Sequence, residues 1–343
     1  MRVAVTGGGG FLGSHLCEAL LRRGDEVVCL DDFSTGDAVN IAPYLDDPAF
    51  TLVQGDVSRS VRVPGPVDAV AHLASPASPA DYLARPLETL AAGSRGTENA
   101  LCLAERHDAR FVLASTSEVY GDPEEHPQDE TYWGHVNPIG PRSVYDEAKR
   151  FSEALTQAYR THHGVDTGIV RIFNTYGPRM RPHDGRVVSS FIVQALAGEP
   201  LTVYGGGKQT RSFCYVDDLI RGIVAMLDCA EAGPVNLGNP VELTVLELAE
   251  LVLRLTGATT EIQFHPLPVD DPTRRRPVIA RARERLDWCP EVDIEEGLRR
   301  TVAWFASRPD GITHALAAIR GGQQDGVAAA QPCPLGVTTS AAS

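Results

Sequence analysis

The chain has 343 residues and a mass of 36.9 kDa, enough for one large α/β unit or two closely joined domains. Its net charge of −14 makes it a poor ligand for nucleic acid or an anionic membrane, so any anionic small ligand must be met by a local basic cluster. Apolar residues reach 43%, but no run approaches the roughly 18 that a membrane span needs, and none is expected. The first residues lead straight into a strand-like run with no signal-peptide architecture, so a cytoplasmic protein is expected. The seven cysteines (Cys17, Cys29, Cys102, Cys214, Cys229, Cys289 and Cys333) lie far apart. They predict neither a metal site nor a disulfide framework.

Strand and helix patterns alternate through the first half. Val3–Thr6 reads as a strand, Phe11–Arg23 as an amphipathic helix, and Glu26–Leu30, Thr51–Gln54 and Ala69–Leu73 as further strands. Leu87–Arg106 reads as one helix, Phe111–Ala114 as a strand, Val144–Thr161 as a helix and Thr167–Ile172 as a strand. Strands and helices in this rhythm predict a Rossmann-type, doubly wound parallel sheet. From Asn174 the rhythm changes to a Pro- and Gly-rich loop, then a helix over Val187–Gly198, a strand-like Ser212–Val216, helices at Asp217–Leu227 and Val245–Thr256, and a Pro-rich stretch from Pro266 to Pro277. The expected division is a dinucleotide-binding domain over 1–173, with returning strands at about 212–240. A smaller, loop-rich substrate domain follows, built from 174–211 and 241–310. Residues 311–343, poor in periodicity, are expected to form a disordered tail.

Residues 6–13 read TGGGGFLG and sit between the first strand and the first helix. In that position Gly7, Gly10 and Gly13 let the backbone turn tightly and bring its N–H groups, with Phe11 and Leu12 beside them, against a pyrophosphate at a helix N-terminus. Asp31 ends the second strand, where its carboxylate can bond both hydroxyls of the adenosine ribose and repel a 2′-phosphate. Neither Lys nor Arg follows in DDFSTG, so NAD is expected rather than NADP, with Asp32, Asp56, Val57 and Leu73 completing its site.

Tyr145 and Lys149 stand four apart in YDEAK, on one face of a helix. A nearby ammonium favours phenolate, so Lys149 is expected to lower the Tyr145 pKa and make it a base, while holding a ribose hydroxyl of the cofactor. Only Lys149 and Lys208 are lysines among 31 basic residues, a hint that arginine would not serve at these places. STSEVYG follows the strand at Phe111–Ala114, at the carboxyl edge where open α/β sheets bind ligands. It offers Thr116 to share the proton path, with Ser117 and Glu118 beside it.

Five strings carry a resemblance: HLASPASP (72–79), STSEVYGDP (115–123), NPIGPRSVYDEAKR (137–150), RIFNTYGPRM (171–180) and YGGGKQTRSFCYVDDL (204–219). Across roughly residues 1–305 the chain resembles the extended short-chain dehydrogenase/reductases of the nucleotide-sugar branch, and within it the UDP-glucuronate decarboxylases. The resemblance implies a seven-stranded Rossmann domain, a small substrate domain, tightly held NAD and a homodimer built on two helices per subunit. It implies Thr116, Glu118, Tyr145 and Lys149 as catalytic residues. Asn174 and Arg186 would lie along the nucleotide sugar, Tyr204, Gln209 and Arg211 near the base and diphosphate, and Arg275 at the sugar carboxylate or the phosphates. The implied reaction takes UDP-glucuronate to UDP-xylose through C4 oxidation, loss of carbon dioxide and re-reduction, with Glu118 or a water it holds protonating C5. Two related reactions share the first step, 4-epimerisation of a hexuronate and 4,6-dehydration. The dehydratases carry an Asp where this chain has Ser117. An NAD-sensing regulator would be expected to lack Tyr145 or Lys149. Two positions depart from the family pattern: Gly93 replaces an Asn in TLAAGSRGT, and Ser190 replaces an Asn in GRVVSSF that contributes an amide to the nucleotide. Uridine and thymidine both remain open as the base.

Overall fold

The computed structural model describes residues 1–266, 274–308 and 312, so the expectation of a disordered tail and most of the Pro-rich stretch lie outside the described residues. The first half forms β1 (Arg2–Thr6), α1 (Phe11–Arg23), β2 (Glu26–Asp31), β3 (Phe50–Gln54), β4 (Ala69–His72), α2 (Pro79–Ala84), α3 (Pro86–Ala91), α4 (Thr97–His107), β5 (Arg110–Thr116), α5 (Ser143–His163) and β6 (Thr167–Ile172). After β6 come β7 (Thr175–Tyr176), α6 (Val187–Ala197), β8 (Leu201–Tyr204), β9 (Thr210–Ser212), β10 (Cys214–Tyr215), α7 (Val216–Leu227) and β11 (Val235–Leu237). The chain then forms β12 (Glu242–Thr244), α8 (Val245–Thr256), β13 (Ile262–His265), β14 (Arg274–Arg275), α9 (Ala280–Leu286) and α10 (Ile294–Ala306).

Seven strands make one parallel sheet in the order β11-β6-β5-β4-β1-β2-β3. Alternation along β1 explains why it is covered on both faces: Val3 and Val5 enter a core with Leu16 and Leu20 of α1, while Ala4 enters a second core with Leu101 and Ala104 of α4. The strand order reverses beside β1, with β2 on one side and β4 on the other. That reversal opens a crevice at the carboxyl ends of the strands, where the loops after β1, β4 and β5 meet.

Two elements differ from the sequence pattern. The helix read as Leu87–Arg106 is broken by a five-residue π-helical turn, Ala92–Gly96, between α3 and α4. Its cause is close approach: a Cβ on Gly93 would lie 2.7 Å from that of Ala148 on α5, and the Gly93 carbonyl accepts from both Thr97 Oγ1 (2.9 Å) and Ser152 Oγ (2.7 Å). Gly93, the departure from the family Asn, thus lets this segment press on the helix that bears Tyr145 and Lys149. The strand read as Ser212–Val216 is in fact two. β9 joins β12 and β14 in a small three-stranded sheet, and β10 pairs with β7 before Val216 starts α7. Together with the β8–β13 pair, α6, α8 and α10, these short strands form the smaller part of the molecule, and α6, β8, β9 and β14 bring residues to the crevice.

Candidate active site

One cavity of about 1610 Å³ runs along the crevice, larger than a single small ligand needs. The residues assigned to the cofactor, the chemistry and the nucleotide sugar line it: Gly7, Gly10, Phe11, Leu12, Gly13, Asp31, Asp32, Asp56, Val57 and Leu73 at one end, Thr116, Ser117, Glu118, Tyr145 and Lys149 in the middle, and Asn174, Arg186, Tyr204, Gln209, Arg211 and Arg275 at the other; Lys208, the other lysine, does not.

The first end is made by backbone. Gly7 takes φ +74°, and a Cβ there would lie 2.8 Å from the Ala74 backbone; a Cβ on Gly13 would lie 2.0 Å from the Gly7 carbonyl. Only glycine allows α1 to start this close to β1, leaving its first N–H groups facing the cavity with no acidic side chain in the first turn. Asp31 is 8% exposed and accepts from the N–H of Gly9 (2.8 Å) and of Phe33 (2.7 Å). Burial raises its pKa, and the two backbone donors oppose that. It therefore holds the glycine loop as well as offering its remaining lone pairs to the cavity. Asp32 caps Ser34 N (2.8 Å), and Asp56 caps Ser58 N (2.8 Å). An anion-ready helix N-terminus, glycines that a Cβ would fill and a carboxylate at the end of β2 fit the pyrophosphate and adenosine ribose of NAD.

The middle is made by β5 and the first turns of α5. Thr116 accepts from Glu118 N (3.2 Å) and hydrogen-bonds the Tyr145 phenol. Tyr145 is 6% exposed and stacks on Tyr82 of α2, with centroids 5.1 Å apart and planes 8° from parallel. Lys149, 4% exposed, donates to the Ala114 carbonyl at 2.8 Å, and its Nζ stands 6.0 Å from the Tyr145 ring centre. The expectation that Lys149 lowers the Tyr145 pKa is corrected here. Burial first, and then the negative charge of Glu118, push the phenol above its ordinary value, against the Thr116 hydrogen bond. Lys149 is itself lowered to about 8 by burial, with Glu153 opposing. Ser117 is buried beside Thr116.

Glu118 bridges the middle to the far end. One oxygen accepts from Arg142 Nη2 at 2.8 Å and the other from Arg275 Nη1, so two arginines clamp one carboxylate. Burial alone would raise its pKa, but Arg275 and Arg142 outweigh it and hold the carboxyl down at about 2. A group this acidic stays an anion at neutral pH, which corrects the expectation that Glu118 itself donates a proton; holding a water remains open to it. Arg275 also donates to the Gly121 carbonyl (3.1 Å), and its Nε is buried without a partner. Beyond it, Arg186 pairs with Asp184 (Nη2 to Oδ2, 2.8 Å), Arg211 donates to Thr210 O (2.9 Å), and Gln209 donates to Tyr204 O (2.7 Å). Asn174 is placed by its carbonyl, which accepts from Cys214 N at 2.9 Å. Among the described residues no group of three or more His, Cys, Asp or Glu is placed to hold a metal, and no helix is long and apolar enough to cross a membrane.

Comparison with known proteins agrees with this geometry. The model of the NAD dependent epimerase/dehydratase family matches residues 3–238. The chain belongs to this family. A UDP-glucuronic acid decarboxylase 1 of Arabidopsis thaliana is 52% identical over 90% of this chain and 70% of its own length. One from Danio rerio is 52% identical over 89% of this chain and 72% of its own. Among solved structures, UDP-glucuronic acid 4-epimerase of Bacillus cereus, in complex with UDP-glucuronic acid and NAD, superposes with a TM-score of 0.80 at 28% identity, covering 90% of this chain and 99% of that one.

Three residues of this family member's site escaped the sequence reading. Arg142 lies three before Tyr145 in NPIGPRSVY, and that proximity was the available signal. Tyr82 follows the HLASPASP string by three positions, but nothing in the string says that its ring would stack on Tyr145. Asn40, which donates to the Gly9 carbonyl at 3.1 Å, comes from a loop with no pattern of its own.

Proposed function

We propose that the protein decarboxylates UDP-glucuronate to UDP-xylose, using NAD that stays bound and ends the cycle unchanged. The observation that carries this reading is the clamp of Arg142 and Arg275 on Glu118, two residues from Thr116 and lining the same cavity as Tyr145. A site for an acidic sugar needs fixed positive charge where the carboxylate lies. Arg142 and Arg275 concentrate such charge at the cavity in an otherwise acidic protein. The decarboxylase relatives support the same reading.

The glycine turn and Asp31 would hold the cofactor, with Lys149 at its nicotinamide ribose. NAD bound there would supply a reversible hydride acceptor for C4 and positive charge beside the phenol. Tyr145 receives the C4 hydroxyl proton as the phenolate, the form that a cationic nicotinamide and the Lys149 ammonium would favour against the burial that raises its pKa, with Thr116 beside it. The C4 ketone is then β to the C6 carboxylate, so carbon dioxide leaves with its bonding electrons delocalised onto the C4 oxygen. Hydrogen bonds from Thr116 and Tyr145 stabilise that enolate. Glu118, fixed as an anion, holds a water toward C5 rather than giving up a proton of its own.

Ser117 stands in place of the Asp that a dehydratase uses, so that position offers no carboxyl for expelling a C6 hydroxyl. The exposed Leu87 and Leu90 of α3 and Phe151 of α5 support a homodimer formed along this helical face. Mass spectrometry of the product from UDP-glucuronate tests the reaction. Loss of carbon dioxide is expected; an isomer of unchanged mass would point to 4-epimerisation and overturn the reading.

A further inference from the structure

Arg275 lies far along the chain from Glu118, on a strand of two residues, β14. Two ladder residues beside β9 hold a guanidinium loosely, yet a carboxylate-binding arginine must be fixed to within about 0.5 Å to act. The structure supplies the missing restraint away from the cavity. Gln128, 0% exposed and in the loop between β5 and α5, brackets the next residue: its N–H donates to the Arg276 carbonyl at 2.8 Å, and its Oε1 accepts from Arg276 N at 2.8 Å. The Gln128 carbonyl accepts from Val278 N at 2.8 Å, and its Nε2 donates to the Glu125 carbonyl at 2.7 Å.

Gln128 is in turn tied to the main sheet. Asn236, 0% exposed on β11, donates through Nδ2 to the carbonyls of Gln128 (3.1 Å) and Val278 (3.2 Å), and its Oδ1 accepts from the Tyr120 hydroxyl at 2.8 Å. Each side-chain amide thus engages both its oxygen and its nitrogen in a buried polar network of the kind that specifies one geometry. Tyr120 also accepts from Arg171 (3.0 Å), which forms a two-point pair with Glu153 one turn after Lys149 on α5. The same network thus joins the catalytic helix to the segment that presents Arg275. Neither Gln128 nor Asn236 lines the cavity.

We propose that Gln128 and Asn236 are positioning residues that fix Arg275 and so set the preference for a nucleotide sugar bearing a carboxylate over one bearing a hydroxymethyl group. This rests on the reading of Arg275 as the carboxylate-binding residue. The test measures binding of UDP-glucuronate and of UDP-glucose to the purified, NAD-loaded protein by calorimetry. Gln128→Met, similar in size but lacking the amide, is expected to weaken UDP-glucuronate about tenfold while UDP-glucose changes less than about twofold. Asn236→Ala leaves both Gln128–Arg276 bonds in place. It is the milder variant should the first fail to fold, with the same selectivity loss at about threefold. In an Arg275→Met background Gln128→Met should add nothing, because the residue it positions is gone. Equal weakening of both ligands, or an undiminished effect of Gln128→Met in that background, overturns the proposal. If Arg275→Met alone fails to discriminate the two ligands, it is the carboxylate role of Arg275 that fails instead.

Discussion

The two ends of the cavity are built on different principles. The cofactor end centres on contiguous backbone, a glycine turn and a helix N-terminus with the Asp31 carboxylate, all within the first 31 residues, and Asp56, Val57 and Leu73 follow on the next strands' ends. The substrate end is side-chain charge gathered from distant positions: Arg142 and Arg275 paired with Glu118, Arg186 paired with Asp184, and Arg211 donating to the Thr210 carbonyl. A dinucleotide pyrophosphate can be met by neutral N–H groups, whereas a sugar carboxylate in a protein of net charge −14 needs guanidinium groups concentrated against the overall field. Tyr145 and Lys149 stand at the seam, and a change at Tyr145 should affect turnover without loosening either ligand.

Tyr145→Phe breaks the seam most severely. It removes the proton acceptor while keeping the stack on Tyr82, so kcat should drop about a thousandfold with NAD still bound, as read from the absorbance of the purified protein and single-turnover kinetics. Arg275→Met belongs to the substrate end alone. It leaves Glu118 with one arginine and should lower kcat/KM for UDP-glucuronate roughly a hundredfold, with the NAD content unchanged. A loss of NAD in that variant would show that the two ends are not independent.

The pH profile sharpens the role of the seam. Lys149 sits at about 8, below the ordinary lysine value, so its ammonium is present below that pH and lost above it. Activity should fall as pH rises through about 8, by about tenfold per unit at the limit. Stability runs the other way for this group: the unfolded chain binds the extra proton between the folded and the ordinary lysine value, so its contribution to stability rises over that window. A thermal-melt series alongside the rates separates the two. The smallest effect belongs to the far end. Ser190→Asn restores the amide of the family pattern and should shift the UDP over dTDP preference only about threefold in competition assays.

Legibility followed the same division. The glycine turn, Asp31 and the Tyr145–Lys149 pair were readable because their function depends on spacing along one strand–turn–helix or one helical turn. Most of the sheet was readable from its apolar strands, but the π-helical turn at Ala92–Gly96 was not, because it is dictated by contact between Gly93 and Ala148 of a different helix. The substrate end was reached only through the family resemblance; an arginine run such as 274–276 looks like a solvated loop until Gln128 and β9 are seen to bring it back to Glu118. Protonation states were the least legible of all. The phenol of Tyr145 and the carboxyl of Glu118 both moved opposite to their expected roles, because burial and the paired arginines act through space and leave no trace in local sequence.

The central claim is that the bound NAD borrows a hydride from C4 and gives it back within one cycle. UDP-glucuronate carrying deuterium at C4, turned over by the purified protein with no NAD added, tests it directly by mass spectrometry and NMR of the product. A UDP-pentose with the deuterium retained at C4 is expected. Deuterium lost from the sugar, or turnover that stops after one equivalent until NAD is supplied, would contradict it.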